Sequence, residues 1–221
     1  MNKNLLKIYE GFFGDLDQLN KNQDDEFGGI NSQVYDEHNY ILWPYKNPEF
    51  FEGLCNMCEQ YYPGLPSDRN GFTQKDLDKI TYIDSDYNDY SYFKKVTSLD
   101  ELQYFHNLKE INTFCFGNCQ NLKSIIFPEN LKKFWDSCFS HCTSLEKLNF
   151  PDSIKEIYNL SFYYCSSLKE IVIPKNIKNI GDFAFEHCSS LKEIVIPKRF
   201  KSLMKNIFSE VNLKKINITY I

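Results

Sequence analysis

Apolar positions recur in this chain on a fixed period of 23 residues. The segment Leu108-Lys-Glu-Ile111-Asn-Thr-Phe114-Cys-Phe116-Gly-Asn-Cys119-Gln-Asn-Leu122-Lys-Ser-Ile125-Ile-Phe127-Pro128 sets the template. Its aromatic returns as Phe116, Phe139, Phe162 and Phe185, and its cysteine as Cys119, Cys142, Cys165 and Cys188. The apolar residue before the proline is Phe127, Phe150, Ile173 and Ile196, followed by Pro128, Pro151, Pro174 and Pro197. A fifth, irregular copy runs through Phe200, Leu203, Phe208, Leu213, Ile216 and Ile218, with Val211 at the cysteine position. Irregular terminal copies are expected of repeat arrays.

A period of this length predicts one coil of a solenoid per copy. Leu191-x-x-Ile194-x-Ile196 places Ile194 and Ile196 on one face of a short strand. The proline that follows ends the strand, because it has no N–H to give a ladder. The next half-coil, such as Ile177, Ile180, Phe183 and Phe185, returns across the core. One coil cannot bury its apolar positions alone, and stacked coils can.

Upstream the period changes. Leu5, Tyr9, Phe12, Leu16 and Leu19, widened by Leu6 and Phe13, predict an amphipathic helix over residues 2–20. An extended segment is expected over 33–43. Asn47-Pro48 predicts a helix start, and the helix should run to about Tyr62, before Pro63-Gly64. Residues 63–71 read as a linker. Thr73 and Asp76 have the spacing of a capping box variant. The expected organisation is an acidic, mainly helical N-terminal region at 1–71, an N-terminal cap at 72–107, and a solenoid at 108–221 whose C-terminal cap is 198–221.

The phrase Ile180-Gly-Asp-Phe-Ala184-Phe185-Glu-His-Cys188-Ser-Ser-Leu191-Lys-Glu-Ile194-Val-Ile196-Pro197 resembles leucine-rich repeats of the BspA type, over about residues 96–221. The resemblance implies an α+β fold: a curved leucine-rich-repeat solenoid of about five 23-residue coils with a parallel strand sheet. It also implies binding of other macromolecules, with no enzyme activity, no cofactor and no fixed partner.

Composition narrows the classes. Hydrophobic residues make up 42% of the 221 residues, enough for a substantial core. No apolar run approaches the length of a membrane span, so no membrane insertion is expected. The first residues lack the continuous apolar core of a signal peptide. The formal charge of -5 is uneven: residues 1–95 carry 9 Lys/Arg against 17 Asp/Glu, residues 96–221 carry 16 against 13. Lys198, Arg199, Lys201, Lys205, Lys214 and Lys215 crowd the last coil, as a solvated cap or as a contact for an acidic partner. No nucleic-acid partner is expected.

Six of the eight cysteines sit at repeat positions, and the column Cys115, Cys138, Ser161, Ala184 interchanges small residues. That pattern predicts buried, unbridged thiols, and hence a reducing compartment or cytoplasmic synthesis. Cys55-x-x-Cys58 has zinc or redox spacing, but no second pair follows, so no metal is expected. Asp84-Ser-Asp86-Tyr-Asn88-Asp89 departs from a calcium loop at its glycine and glutamate positions. His141 and His187 share their repeat position with Asn118 and Tyr164, which predicts a surface turn. No nucleophile triad, phosphate loop or dinucleotide fingerprint is present.

The candidate binding residues are those flanking the central apolar residue of each strand. Before it come Ser124, Lys147, Glu170, Glu193 and Lys215; after it come Ile126, Asn149, Val172, Val195 and Asn217. Apolar residues framed by charges on an outward ladder read as a partner-binding stripe, or as β-propensity on an exposed sheet. The expected function is non-catalytic protein–protein interaction through the strand face, with a protein partner of unknown identity. Two alternatives stand beside it: a structural subunit of a larger assembly such as a virus particle or surface layer, and an enzyme in residues 1–71 targeted by the repeats.

Overall fold

Each coil crosses the core twice, and each crossing adds a rung to a parallel sheet. We describe residues 40–41, 47–65, 71–85 and 92–221 of a computed structural model; the helix expected over 2–20, most of the extended segment at 33–43 and most of the calcium-like loop lie outside them. The described residues all belong to one compact unit, 34–221. In chain order the elements are β1 (Tyr40–Ile41), α1 (Pro48–Tyr61), β2 (Phe72–Thr73), α2 (Gln74–Leu77), β3 (Tyr82–Ile83), β4 (Ser98–Leu99), β5 (Glu110–Ile111), β6 (Ser124–Ile125), β7 (Lys133–Phe134), β8 (Lys147–Asn149), β9 (Glu156–Ile157), β10 (Glu170–Val172), β11 (Asn179–Ile180), β12 (Glu193–Ile196), α3 (Met204–Ile207) and β13 (Asn217–Tyr220).

The solenoid therefore has two faces built of parallel strands, where a single strand sheet was expected. A major face carries β8-β10-β12-β13 together with the pair β4-β6, and β6 lies against β8. A minor face carries β3-β5-β7-β9-β11. The second sheet arises because the return half-coil, Ile154-x-x-Ile157 or Ile177-x-x-Ile180, also pairs in register with its neighbours: Phe134 with Ile157, Ile157 with Ile180. Two-residue strands carry too little alternation to announce themselves in a sequence.

Between the sheets runs a column of six phenylalanines: Phe93, Phe116, Phe139, Phe162, Phe185 and Phe208. Neighbouring ring centroids are 4.8 to 5.3 Å apart, and Phe139 and Phe162 are within 1° of parallel. All six are at most 1% exposed. Beside it runs Val96, Cys119, Cys142, Cys165, Cys188 and Val211. Phe93 and Val96 thus form a further coil, inside the segment read as a cap. Its signal was present at the same 23-residue spacing, with valine for cysteine as in Val211.

The coils are closed by a turn that also bonds to the next coil. In one turn, Phe114, Phe116 and Asn118 donate their N–H groups to the carbonyls of Asp136, Cys138 and Ser140. The same triple bonding recurs from Ser137, Phe139 and His141 and in the copies after it. To make it, two residues per turn adopt left-handed backbone: Phe114 and Asn118, Ser137 and His141, Leu160 and Tyr164, Phe183 and His187. Such a conformation costs a side-chain-bearing residue about 1 kcal/mol, and the bonds to the next coil offset it. His141 and His187 are therefore turn residues, as their variable repeat position indicated.

At the N-terminal end, α1 closes the core. Asn47 caps it, its Oδ1 accepting from Phe50 N–H at 3.3 Å, and its Nδ2 donates to the Ser98 carbonyl of the first coil. Phe50 packs on Phe93 at 5.4 Å. Gly53 permits that approach, since a Cβ there would lie 2.6 Å from the Phe93 ring. Core contacts thus cross the boundary drawn at residue 71. The capping box of α2 is present, with Thr73 and Asp76 bonding reciprocally. Tyr62 covers the free edge of β3: its hydroxyl accepts from Tyr82 N–H at 3.1 Å and donates to the Tyr82 carbonyl at 2.8 Å. An uncovered edge would pair with other chains.

At the other end, a 3₁₀ helix (Lys198–Leu203) and α3 replace the minor-face strand, burying Phe200, Met204 and Ile207.

Ile171, at the centre of β10, is fully buried between Leu148 and Ile194. Replacing it with aspartate puts an uncompensated carboxylate into a dry stack, a cost of several kcal/mol. Ile171→Asp should lower the melting temperature by roughly 10 °C or more, measured by circular dichroism; a melting curve overlying that of the wild type would contradict this strand register.

Candidate functional site

The outward flanks of the major-face strands are aligned by the ladder. Lys147, Glu170, Glu193 and Asn217 form one row, and Asn149, Val172, Val195 and Thr219 the next. Period-2 alternation points these side chains away from the buried row Leu148, Ile171 and Ile194. Ser124 and Ile126 extend the rows beside β6. Val172 is 51% exposed and Ile126 45%, while Val195 is half-buried. Lys147 pairs with Glu170 at 3.6 Å, an exposed ion pair of small energetic weight. Ser124 donates from its hydroxyl to Asp100 at 3.1 Å.

The last coil departs from the expected register. Ile218, not Ile216, takes the central position opposite Ile194. The cause is a 3₁₀ turn at Leu213–Lys215, which lengthens this coil. Lys215 consequently lies in the turn and outside the strand rows. Asn217 moves to the row of Glu193, and Thr219, which the sequence pattern did not single out, takes its place beside Val195.

The thiols are part of the scaffold. All eight cysteines are buried and carry thiols, not disulfides. The column Cys119, Cys142, Cys165, Cys188 donates to the carbonyls of Phe93, Phe116, Phe139 and Phe162 at 3.1 to 3.4 Å. Each S–H thus ties its coil to the aromatic of the coil before. Burial pushes the thiols of Cys115, Cys138, Cys142 and Cys188 well above the ordinary range, and that of Cys58 to about 12. Thiols held neutral in this way are poor nucleophiles and poor metal ligands. Among the described residues no cluster of His, Cys, Asp or Glu is arranged to hold a metal ion, and no helix is long and apolar enough to cross a membrane.

The minor face, whose two-residue strands leave no alternation in the sequence, carries a second constellation. Trp135 stacks on Tyr158 at 4.6 Å and 18°. The Trp135 indole N–H donates to Glu110 at 2.9 Å, and Asn112 donates to Asp84 at 2.7 Å. Lys133 lies between Glu110 and Glu156, 3.8 and 3.7 Å away. A cavity of about 520 Å³ opens beside Trp135, and one of about 330 Å³ adjoins it through Glu110 and Asn112.

Residues 85–215 match the model of the BspA type leucine-rich repeat region, in six copies. Six is also the number of phenylalanines in the core column. Two solved structures are similar to the chain. A leucine-rich repeat protein from Bacteroides ovatus is 26% identical, with 53% of this chain and 31% of that chain covered and a TM-score of 0.43. The leucine-rich repeat protein of T. pallidum is also 26% identical, with 53% and 58% covered and a TM-score of 0.43. The match spans less than two thirds of either protein's length. No curated protein matches the chain.

Two outcomes follow from the thiol geometry. A thiol-reactive dye should leave Cys119, Cys142, Cys165 and Cys188 unlabelled under native conditions and label them in denaturant; labelling of the native chain within minutes would contradict their burial. Stability should also fall in alkali. A thiol whose folded value is raised stays protonated in the fold while the unfolded chain loses its proton, so unfolding gains free energy once the pH passes the ordinary value of 9.0. The melting temperature should be flat from neutrality to that pH and decline above it, up to the folded value of about 12 for Cys58.

Proposed function

The chain belongs to the BspA-type leucine-rich repeat family, and from that premise we propose that it is a non-catalytic module that binds a protein partner on the major face. Repeats of this family are in general protein–protein interaction modules. The observation that carries the reading is the aligned pair of rows on β10 and β12: Glu170 beside Glu193, Val172 beside Val195. The strands hold these side chains on a rigid grid about 4.8 Å apart, so little conformational freedom is lost on binding. Val172, Val195 and Ile126 supply apolar area. Glu170, Glu193 and Lys147 select the charge of what approaches. Ser124, Asn149 and Asn217 supply hydrogen-bonding groups around them, and Thr219 adds another.

The basic residues of the last coil are the control surface. Arg199 reaches back to the carbonyls of Lys175 and Ile177, and Lys201 lies 5.5 Å over the Tyr220 ring. These contacts account for part of the basic cluster as a cap of the stack.

With a partner isolated from the native source, Val172→Lys together with Val195→Lys should weaken binding by more than about tenfold, with the melting temperature preserved. Lys201→Glu together with Lys205→Glu should leave binding within about threefold. Surface plasmon resonance with both pairs checks this; a silent valine pair and a disabling lysine pair would move the contact to the end of the solenoid.

A further inference from the structure

We propose that the groove on the minor face is a binding site for a neutral oligosaccharide. It is independent of the major-face reading, because the two sheets lie on opposite sides of the buried phenylalanine column. The groove is walled by Tyr61, Asp84, Ser85, Glu110, Asn112 and Trp135. It is a shallow groove open to solvent, with a volume of about 520 Å³ continued by the adjoining 330 Å³.

The chemistry of the walls selects the ligand class. An indole offers a flat, electron-rich surface to the C–H face of a pyranose ring. Tyr158 backs the indole from the next coil and Glu110 holds its N–H, so its orientation is fixed before a ligand arrives. Asp84 and Asn112 are locked together, and Asp84 also accepts from Ser85 N–H at 2.8 Å. Planar side chains held in this way keep lone pairs and one amide proton for the hydroxyls on the rim of a sugar. The two cavities share Glu110 and Asn112, which suits a ligand of more than one ring.

A cationic ligand fits less well, although the groove is acidic. Lys133 already lies 5.4 Å from the Trp135 ring centroid and bridges Glu110 and Glu156. A second cation at the indole would meet its repulsion and find Glu110 partly neutralised. An anion would face Asp84 and Glu110.

The test uses the intact chain on an immobilised panel of neutral oligosaccharides, with a Lys/Arg-rich peptide and a sulfated oligosaccharide in parallel. At least one neutral oligosaccharide should be retained. Its affinity, measured by calorimetry, should fall at least about tenfold in Trp135→Ala and in Asn112→Ala. It should be unchanged in the Val172→Lys, Val195→Lys protein, which separates this site from the major face. Circular dichroism checks the fold, and Asn112→Ala decides the matter if Trp135→Ala unfolds. Retention of none of the neutral sugars, retention of the peptide or sulfated chain alone, or affinity unaffected by the folded variants would each overturn the proposal.

Discussion

No coil of this protein has a core of its own, and stacking onto the neighbouring coil is the constraint on which everything else depends. The phenylalanine column shows it most directly. Each ring lies against the ring before and after, at a separation close to the spacing of paired strands. A 23-residue coil can supply one such ring and a few aliphatic residues around it. It becomes a folded unit only when another coil covers it. The ends are accordingly the places where the pattern breaks. Phe50 of α1 covers the first ring, and the turn holding Met204 and Ile207 stands beside the last.

Stacking also explains two features that look unfavourable alone. Left-handed backbone at phenylalanine, leucine, tyrosine and histidine costs free energy, yet it recurs in every full turn. It aims alternate N–H groups at the next coil, and buried N–H groups must find acceptors. Cysteine at the column below the turn serves the same end. It is small enough for the tight site, and its S–H reaches the carbonyl of the preceding coil. Valine fills that column at both ends, in Val96 and Val211, where packing volume is kept and the hydrogen bond is given up.

A solenoid built this way presents two rigid faces of different character. The major face has longer strands and rows of mixed charge around Val172 and the half-buried Val195. The minor face has two-residue strands, stacked aromatics and fixed carboxylates around a groove. On both, the outward residues lie outside the buried core and their spacing is set by the ladder. Chemistry can therefore change along either face without disturbing the core.

The sequence alone determined the period, most of the inward residues and the kind of fold, because one buried position repeated at 23-residue intervals leaves few structures that satisfy all copies; Phe183, read with the inward set, instead takes a left-handed turn position and is 42% exposed. It also determined the start of α1 at Asn47-Pro48 and the capping box at Thr73, since both are local bonds between near neighbours. Of the candidate stripe, the rows through Lys147, Glu170 and Glu193 were legible from alternation about Leu148, Ile171 and Ile194. Tertiary structure decided the rest. The register of the last coil turned on a 3₁₀ turn at Leu213–Lys215, whose residues read equally well as a continuing strand. The coil at Phe93 was hidden by a valine where the four central coils carry cysteine. The groove beside Trp135 gathers Tyr61, Asp84, Glu110 and Trp135 from four separate stretches. Nothing local marks their meeting, because the pairing of short strands from successive coils is what brings them together.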